Sequence, residues 1–340
     1  VVSVVATEAL GTAEDAAVEP AVEVHDLVKH YGELAAVDGI DFSVAQGEIF
    51  AFLGPNGAGK STTIKMLCTL ARPTSGRARV AGFDVTSQAR SVRRHIGLVF
   101  QEQTLDDQLT AEENLRFHAV LYGIPHDQVD GRISRVLNLV ALSDRRKDLV
   151  STYSGGMARR LEIARGMLHT PRVLFLDEPT VGLDPQTRAL IWDDIQRLRR
   201  EEGVTIFLTT HYMDEAEYAE RIAIIDYGSV IAIDTPDALK ASVGTDTVAL
   251  ETADDEAALA SLKRAGYQVE RTEDGLTAFV ADEEAAVGPI VAAAGVAVRT
   301  VRAHRPTLDD VFLHFTGREI REQHGEAVPM FARARGARRG

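Results

Sequence analysis

Apolar residues in the first two-thirds of this chain come as short unbroken runs separated by longer stretches of helical period. Ile49-Phe50-Ala51-Phe52-Leu53, Ile96-Gly97-Leu98-Val99-Phe100, Val173-Leu174-Phe175-Leu176 and Val204-Thr205-Ile206-Phe207-Leu208 have the look of strands buried on both faces. Between them, Thr62 to Leu70, Thr110 to Ser143, Ala158 to His169 and Pro185 to Arg200 repeat their apolar positions as helices do. In the second of these, Leu115, Val120 and Leu121 mark one helical segment, and Ile133, Val136, Leu137 and Val140 the next. Strand and helix alternate, so an α/β fold with a parallel sheet is expected.

The pattern also extends to either side. A strand begins near Ala21-Val22-Glu23-Val24 and runs towards Tyr31-Gly32; a strand pair follows, Ala35 to Val44 and Ile49 to Leu53, with Gln46-Gly47-Glu48 as its turn. Arg72 to Gly76 is a turn feeding a short strand at Arg77 to Val80. Strands Arg221 to Asp226 and Ser229 to Asp234 are joined by Tyr227-Gly228, and Pro236 opens a closing helix. Composition shifts near Ser242-Val243-Gly244. Beyond it the order is strand (248–251), helix (255–265), strand (267–271), strand (276–280), helix (283–294) and strand (296–301). That β-α-β-β-α-β order predicts a small α+β ferredoxin-like module. Thr307, with Asp310 three residues on, caps a last helix. The expected organisation is a disordered leader (1–20), a main domain (21–241) with a helical subdomain at about 102–160, an accessory domain (245–317) and a flexible tail (318–340) rich in Arg333, Arg335, Arg338 and Arg339.

Composition narrows the function classes. With 340 residues, 45% of them apolar, the chain has room for about two domains. A formal charge of −14 argues against a nucleic-acid surface as its main business. The single cysteine, Cys68, excludes an internal disulfide framework and is expected in the core. The longest uncharged stretch, Ala285 to Val298, falls short of the ~18 apolar residues of a membrane span. No span and no secretory signal are expected, so the protein is placed in the cytoplasm.

Chemistry concentrates at the ends of the apolar runs. Leu53-Gly54-Pro55-Asn56-Gly57-Ala58-Gly59-Lys60-Ser61-Thr62-Thr63 fits the G-x-x-x-x-G-K-[ST] phosphate-binding loop between a strand and a helix. Glycines 54, 57 and 59 let successive N–H groups turn onto phosphate oxygens at the positive end of the helix. Lys60 then brings a charge to the β- and γ-phosphates, and Ser61 a hydroxyl to Mg²⁺. Val173 to Leu176 ends at Asp177-Glu178, where Asp177 would hold the Mg²⁺ shell through water and Glu178 polarise a water attacking the γ-phosphate. Gln101, at another strand's carboxyl edge, either reaches Mg²⁺ and the attacking water with its amide oxygen or is an ordinary loop residue. Ser154-Gly155-Gly156 opens a helix and suits either a second anion or a plain helix cap. One nucleotide has little use for two such sites; two chains, each presenting this loop to the other's γ-phosphate, do. Tyr31 either stacks on an adenine or sits half-buried at a strand end. Gly182-Leu183-Asp184 is a tight loop suited to a subunit contact, Trp192 packs, and His211 either senses the γ-phosphate or is structural.

The ordered set Tyr31, Gly54 to Ser61, Gln101, Ser154-Gly155-Gly156, Asp177-Glu178, Asp184 and His211 resembles the nucleotide-binding subunit of an ATP-binding-cassette transporter, over residues 21 to about 240. The resemblance implies a P-loop cassette domain with a helical subdomain. It makes Tyr31 the adenine-stacking aromatic, Gln101 the loop coupling to a membrane partner, and Ser154 to Gly156 the signature loop. It makes Glu178 the catalytic base, Asp184 the dimer-contact loop and His211 the switch histidine. Tyr153 and Met157 depart from the usual Leu-Ser-Gly-Gly-Gln signature, which puts one glutamine contact in doubt. Residues 306–313 resemble the C-terminal extension of daunorubicin-resistance cassette ATPases, implying export of hydrophobic drugs or lipid-like cargo. Also implied are ATP and Mg²⁺, a separate multi-span permease, a second copy of the chain, and residence at the cytoplasmic face of the membrane. A soluble cassette ATPase acting on nucleic acid or ribosomes is the alternative; one cassette, a short helical insertion and the acidic balance speak against it. A nucleotide-dependent scaffold with negligible turnover is a third reading, and Glu178 and His211 speak against that.

Overall fold

The computed structural model describes residues 19–272 and 275–316, so the expected basic tail and nearly all of the expected leader lie outside the described residues. In chain order the first part runs β1 (Val22–Tyr31), β2 (Leu34–Val44), β3 (Ile49–Leu53), α1 (Lys60–Leu67), β4 (Ser75–Val80), β5 (Phe83–Asp84), α2 (Ala89–His95) and β6 (Ile96–Val99). Next come α3 (Ala111–Leu121), α4 (His126–Leu139), α5 (Gly155–Met167), β7 (Val173–Asp177), α6 (Pro185–Glu202), β8 (Thr205–Thr210), α7 (Met213–Ala216), β9 (Arg221–Asp226), β10 (Ser229–Asp234) and α8 (Pro236–Val243). The last part is β11 (Asp246–Thr252), α9 (Asp255–Arg264), β12 (Gln268–Thr272), β13 (Gly275–Val280), α10 (Glu283–Ala293), β14 (Val298–His304) and α11 (Leu308–Thr316). Among these residues no helix is long and apolar enough to cross a membrane. Two compact units form: Thr62–Leu208 with the segment ending at Ile49, and Phe50–Ser61 with the segment starting at Thr209.

In the first unit an antiparallel sheet has the order β2-β1-β4-β5, and β6 pairs in parallel with β7 from Ile96↔Val173 to Val99↔Leu176. Phe175 and Phe207, both buried, meet at 5.4 Å, and Phe42 of β2 lies 5.9 Å from Phe207. The strand pair expected around Gln46-Gly47-Glu48 is not a hairpin. β2 and β3 belong to different sheets. The turn is fixed from a distance as well as within itself: the Gly47 N–H donates to Thr205 Oγ1 (2.9 Å) and the Ala45 N–H to Glu48 Oε2 (2.6 Å). Phe42 keeps its place in the ladder opposite Val24 of β1 and packs its ring across the layers towards Phe207.

Helix α1 stops at Leu67, three residues early, because Thr69 takes a left-handed conformation (φ +63°). Cys68 is buried just beyond it; burial first, and the Asp177 charge second, push its thiol pKa well up, the state of an inert core cysteine. Trp192 is buried as expected.

The helical insertion differs most from its sequence pattern. Helix α3 buries Ala111, Asn114, Leu115 and Ala119, whereas Val120 (73% exposed) and Leu121 (65%) point outward with Phe117 (63%). Polar anchoring decides this. Thr110 and Glu113 form a capping box, and buried Asn114 bonds the backbone of Asp106 in both directions (2.9 Å each) and the Thr110 carbonyl (3.1 Å), turning the Ala111–Leu115 face inward. An aromatic stack joins this insertion to the end of α5: His118 lies 4.9 Å from Tyr122, and Tyr122 3.8 Å from His169, whose Nε2 bonds the Ile96 carbonyl at 2.8 Å. Burial lowers the pKa of both imidazoles to about 4.

In the second unit Phe50–Leu53 of β3 run parallel to Arg221–Ile224 of β9, and β10 closes antiparallel on β9. The C-terminal strands form a separate antiparallel sheet, β12-β13-β11-β14, the arrangement expected of a ferredoxin-like module. Val248, Leu250, Val269, Leu276 and Ala278 of that sheet pack on Ala258, Leu262, Ile290 and Ala294. Thr307 and Asp310 exchange the expected reciprocal bonds at the start of α11 (2.8 and 3.2 Å).

Candidate nucleotide site

The phosphate loop belongs to the second unit. Its Gly54 N–H donates to the Thr210 carbonyl at the end of β8 (3.2 Å), and the Gly228 N–H of the β9–β10 turn donates to the Ala58 carbonyl (2.9 Å). Gly54 has no alternative: a Cβ there would stand 2.2 Å from the Ile225 carbonyl oxygen. Gly57 (φ +84°) and Gly59 (φ +112°) take conformations that L side chains disfavour. Lys60, 4% exposed, folds its ammonium back inside the loop onto the carbonyls of Gly54 (2.7 Å) and Pro55 (3.2 Å). Asn56 and Gly57 are exposed, Ala58 is buried, and Ser61 and Thr62 are half-buried in the first turn of α1. His211 directly follows Thr210, its ring 4.1 Å from that of Tyr212, while Thr210 is fixed by donating to Glu215 (2.9 Å) and accepting from the Tyr212 N–H (2.9 Å).

The first unit holds the carboxylates. Asp177 ends β7, and Glu178 follows with φ +46°, a strained conformation for a residue with a side chain. Both are 6% exposed. The Gln101 side-chain amide donates to Glu178 Oε2 at 3.3 Å, so the structure brings these two expected residues together and aims the glutamine at the carboxylate. Tyr31, at the end of β1, is half exposed with the Lys29 ammonium 4.8 Å from its ring centre.

The second glycine loop opens α5 at Gly155, three residues earlier than the sequence pattern indicates, because Ser154 caps the helix by accepting the Met157 N–H (3.3 Å). Both glycines therefore sit in the first helical turn, Gly155 exposed and Gly156 buried. Asp184 likewise caps α6, accepting from the Thr187 N–H (3.0 Å) and hydroxyl (2.6 Å), which hold its carboxyl below the usual range. Thr187 in turn faces Gly156, where an added Cβ would come within 2.2 Å of its methyl group. Ser154, Gly156 and Asp184 are thus parts of one assembly.

Arg159 escapes a motif-based reading. On α5, one turn past the glycines and 7% exposed, it donates Nε to the Pro179 carbonyl (2.7 Å), Nη1 to the Phe100 carbonyl and Glu162 (3.0 Å), and Nη2 to the carbonyls of Asp177 and Glu178 (3.1 Å each). Glu162, 1% exposed, also accepts from the Thr104 N–H (2.7 Å) and hydroxyl (3.0 Å). The available signal was two opposite charges three residues apart within an apolar stripe.

A family model described as ABC transporter matches residues 37–181, and one described as the C-terminal domain of DrrA1-3-like ATP-binding proteins matches 235–316. Daunorubicin resistance ATP-binding protein DrrA3 of Streptomyces coeruleorubidus is 42% identical over 310 residues, spanning 89% of this chain and 98% of the relative. Linearmycin resistance ATP-binding protein LnrL of Bacillus subtilis is 38% identical over 311 residues, 88% of this chain and all of the relative (100%). Among solved structures, cbiO1 from Clostridium perfringens is similar with a TM-score of 0.62 and 29% identity over 65% of this chain and 91% of its own. A dimeric post-hydrolysis state of the cassette MJ0796 with ADP and Pi is similar at 0.57 and 27%, over 63% and 98%. Identity and coverage of this order show that the chain belongs to the ATP-binding-cassette transporter family, as an ATP-hydrolysing subunit of the daunorubicin-resistance type.

Proposed function

We propose that this subunit pairs with a second copy of itself around two ATP molecules and drives a separate multi-span permease that exports a hydrophobic, drug-like or lipid-like molecule. Lys60 and the loop N–H groups hold the β- and γ-phosphates, with Tyr31 against the base. The partner copy's signature loop caps the γ-phosphate, with Asp184 at the subunit contact and His211 beside the phosphate. Binding favours the closed pair because only that state contacts the nucleotide from both sides. Glu178, aimed by Gln101, orients and polarises the attacking water. Loss of the γ-phosphate removes the bridge, and the pair reopens.

Mg²⁺ fits the donors in this reading: the Ser61 hydroxyl, the Gln101 amide oxygen and Asp177 are hard oxygen groups, and phosphate oxygens and water complete such a shell. When bound it neutralises charge on the phosphates.

The observation that carries the reading is Glu178: a carboxylate buried at the end of a parallel strand, in a strained backbone, with a glutamine amide on its oxygen. Phe117, Val120 and Leu121, on one face of α3, support the membrane partner, since exposed apolar groups of this kind mark contact surfaces. The cargo class is drawn from relatives whose names carry daunorubicin and linearmycin resistance. The subunit then works at the cytoplasmic face of the membrane, held there by the permease. Residues 21–241 act as the cassette, with 102–160 as the subdomain that carries motion to the permease, and 245–317 as an accessory domain.

The test is Glu178→Gln in the full chain, with ATP binding, ATP turnover and association state measured together. ATP affinity should stay and a stable ATP-bound pair should accumulate, while turnover falls on the order of 10²–10⁴-fold. Wild-type turnover in that variant would remove Glu178 from the reaction. Capture of membrane polypeptides by the same variant with ATP and Mg²⁺ tests the partner; recovery of ribosomes or nucleic acid alone would sink the transport reading.

A further inference from the structure

We infer that Arg159 is a positioning residue for hydrolysis: it fixes Glu178 and the Gln101 peptide to the helix that Ser154 opens, so turnover depends on where that helix stands. The inference rests on the proposed role of Glu178 and adds to it a mechanical link within one subunit.

The guanidinium has five N–H donors, and all five are engaged by five acceptors. Four of these are backbone carbonyls, and they are not scattered. Three belong to the consecutive residues Asp177, Glu178 and Pro179, on both sides of the strained φ of Glu178. A strained residue keeps its conformation only where its surroundings over-determine it, and here one rigid planar group supplies that constraint. The fourth carbonyl is that of Phe100, the residue before Gln101. Glu162, on the same helix, grips Thr104, three residues past Gln101. The segment that aims the glutamine is therefore clipped to α5 at both ends.

Stability alone does not call for this arrangement. Taking a charge pair out of water costs several kcal/mol per ion, and an apolar pair of similar volume would pack as well or better. Only a planar cation with five divergent donors reaches carbonyls from two separate segments at once. Because Arg159 lies one helical turn beyond Ser154 and Gly155, a displacement of the signature loop moves the guanidinium, and with it the peptides that set the direction of the Glu178 side chain. A misplacement of about 1 Å in a reacting group can cost on the order of 10²-fold in rate.

The test uses the full chain and measures kcat, KM for ATP, equilibrium binding of a fluorescent ATP analogue, and folded fraction by thermal melting. Arg159→Lys keeps the charge opposite Glu162 but has three donors for five acceptors. The double variant Arg159→Met with Glu162→Met removes the pair together and leaves Arg165, 4.0 Å from Glu162, with its bond to the Thr104 carbonyl (3.3 Å). In both, kcat should fall on the order of 10- to 10²-fold while KM and analogue affinity stay within about threefold. The inference is overturned if either folded variant keeps kcat within about twofold of wild type, or if kcat falls only as far as the folded fraction does. Glu178→Gln run alongside separates the two levels. Unchanged turnover there removes the base assignment and this inference with it; lost turnover there, with unchanged turnover in the Arg159 variants, removes this inference alone.

Discussion

The chain carries two glycine loops at helix N-termini, and they are built on opposite principles. At Gly54 to Lys60 the backbone does the work: Gly57 and Gly59 adopt positive φ, Gly54 lies against the Ile225 carbonyl, and Lys60 is folded inside the loop. At Ser154 to Gly156 the backbone is ordinary. A hydroxyl caps the helix, and Gly156 is required only because the Thr187 methyl group stands against it. The first loop is complete within itself. The second is open to its surroundings: its cap and Gly155 are exposed, and its shape is set by side chains of α6. On the proposed reading, a loop that grips a ligand in its own subunit can be rigid in its backbone, whereas one that meets another subunit's ligand is held by side chains on its own scaffold.

That contrast can be broken at several points. The largest effect is expected from Lys60→Ala, which removes the one cation inside the first loop; ATP dissociation constants should rise on the order of 10²-fold or more in equilibrium binding. Gly54→Ala comes next. Its Cβ meets a backbone oxygen that cannot rotate away, so a destabilisation of about 3 kcal/mol is expected in denaturant unfolding, with nucleotide binding weakened. Gly156→Ala meets a side-chain methyl group instead, costs about 1–2 kcal/mol, and lowers turnover. If the second loop is governed by side chains, adding Thr187→Ser should restore much of that turnover, since serine keeps the bond to Asp184 and lacks the methyl group. No single side-chain change should rescue Gly54→Ala; a rescue there would erase the distinction. For stability Ser154→Ala is the mildest, a lost cap of about 1 kcal/mol visible as a small drop in the melting temperature, while on the proposed reading ATP-driven pairing weakens with loss of the hydroxyl that faces the partner's γ-phosphate.

Much of this was legible beforehand because phosphate chemistry constrains residue types tightly. The loop at Gly54 to Ser61, the carboxylates after β7 and the βαββαβ order of the C-terminal module follow from spacing alone. What stayed hidden depended on which of two acceptable faces a segment buries. Val120 and Leu121 fit a helical apolar stripe, yet Asn114 and the Thr110 cap turn the other face inward. The turn at Gln46 to Glu48 has hairpin composition, but Gly47 bonds Thr205, more than 150 residues away. Arg159 was missed for a related reason: its partners are carbonyls, and every residue has one, so no side-chain pattern announces them.

The stack of His118, Tyr122 and His169 gives the helical insertion an acid limit. Both imidazoles fold as neutral rings with pKa values of about 4, against an ordinary value of 6.5. The unfolded chain therefore takes up protons in a range where the folded chain does not. Their contribution is complete above pH 6.5 and drains away as the pH falls from 6.5 towards 4, at about 1.4 kcal/mol per pKa unit for each ring before allowance for its partial exposure. A His169→Gln chain should lose less stability across that window than wild type. In a cell whose interior turns sour, the helical insertion would therefore loosen first where its stack meets the end of α5.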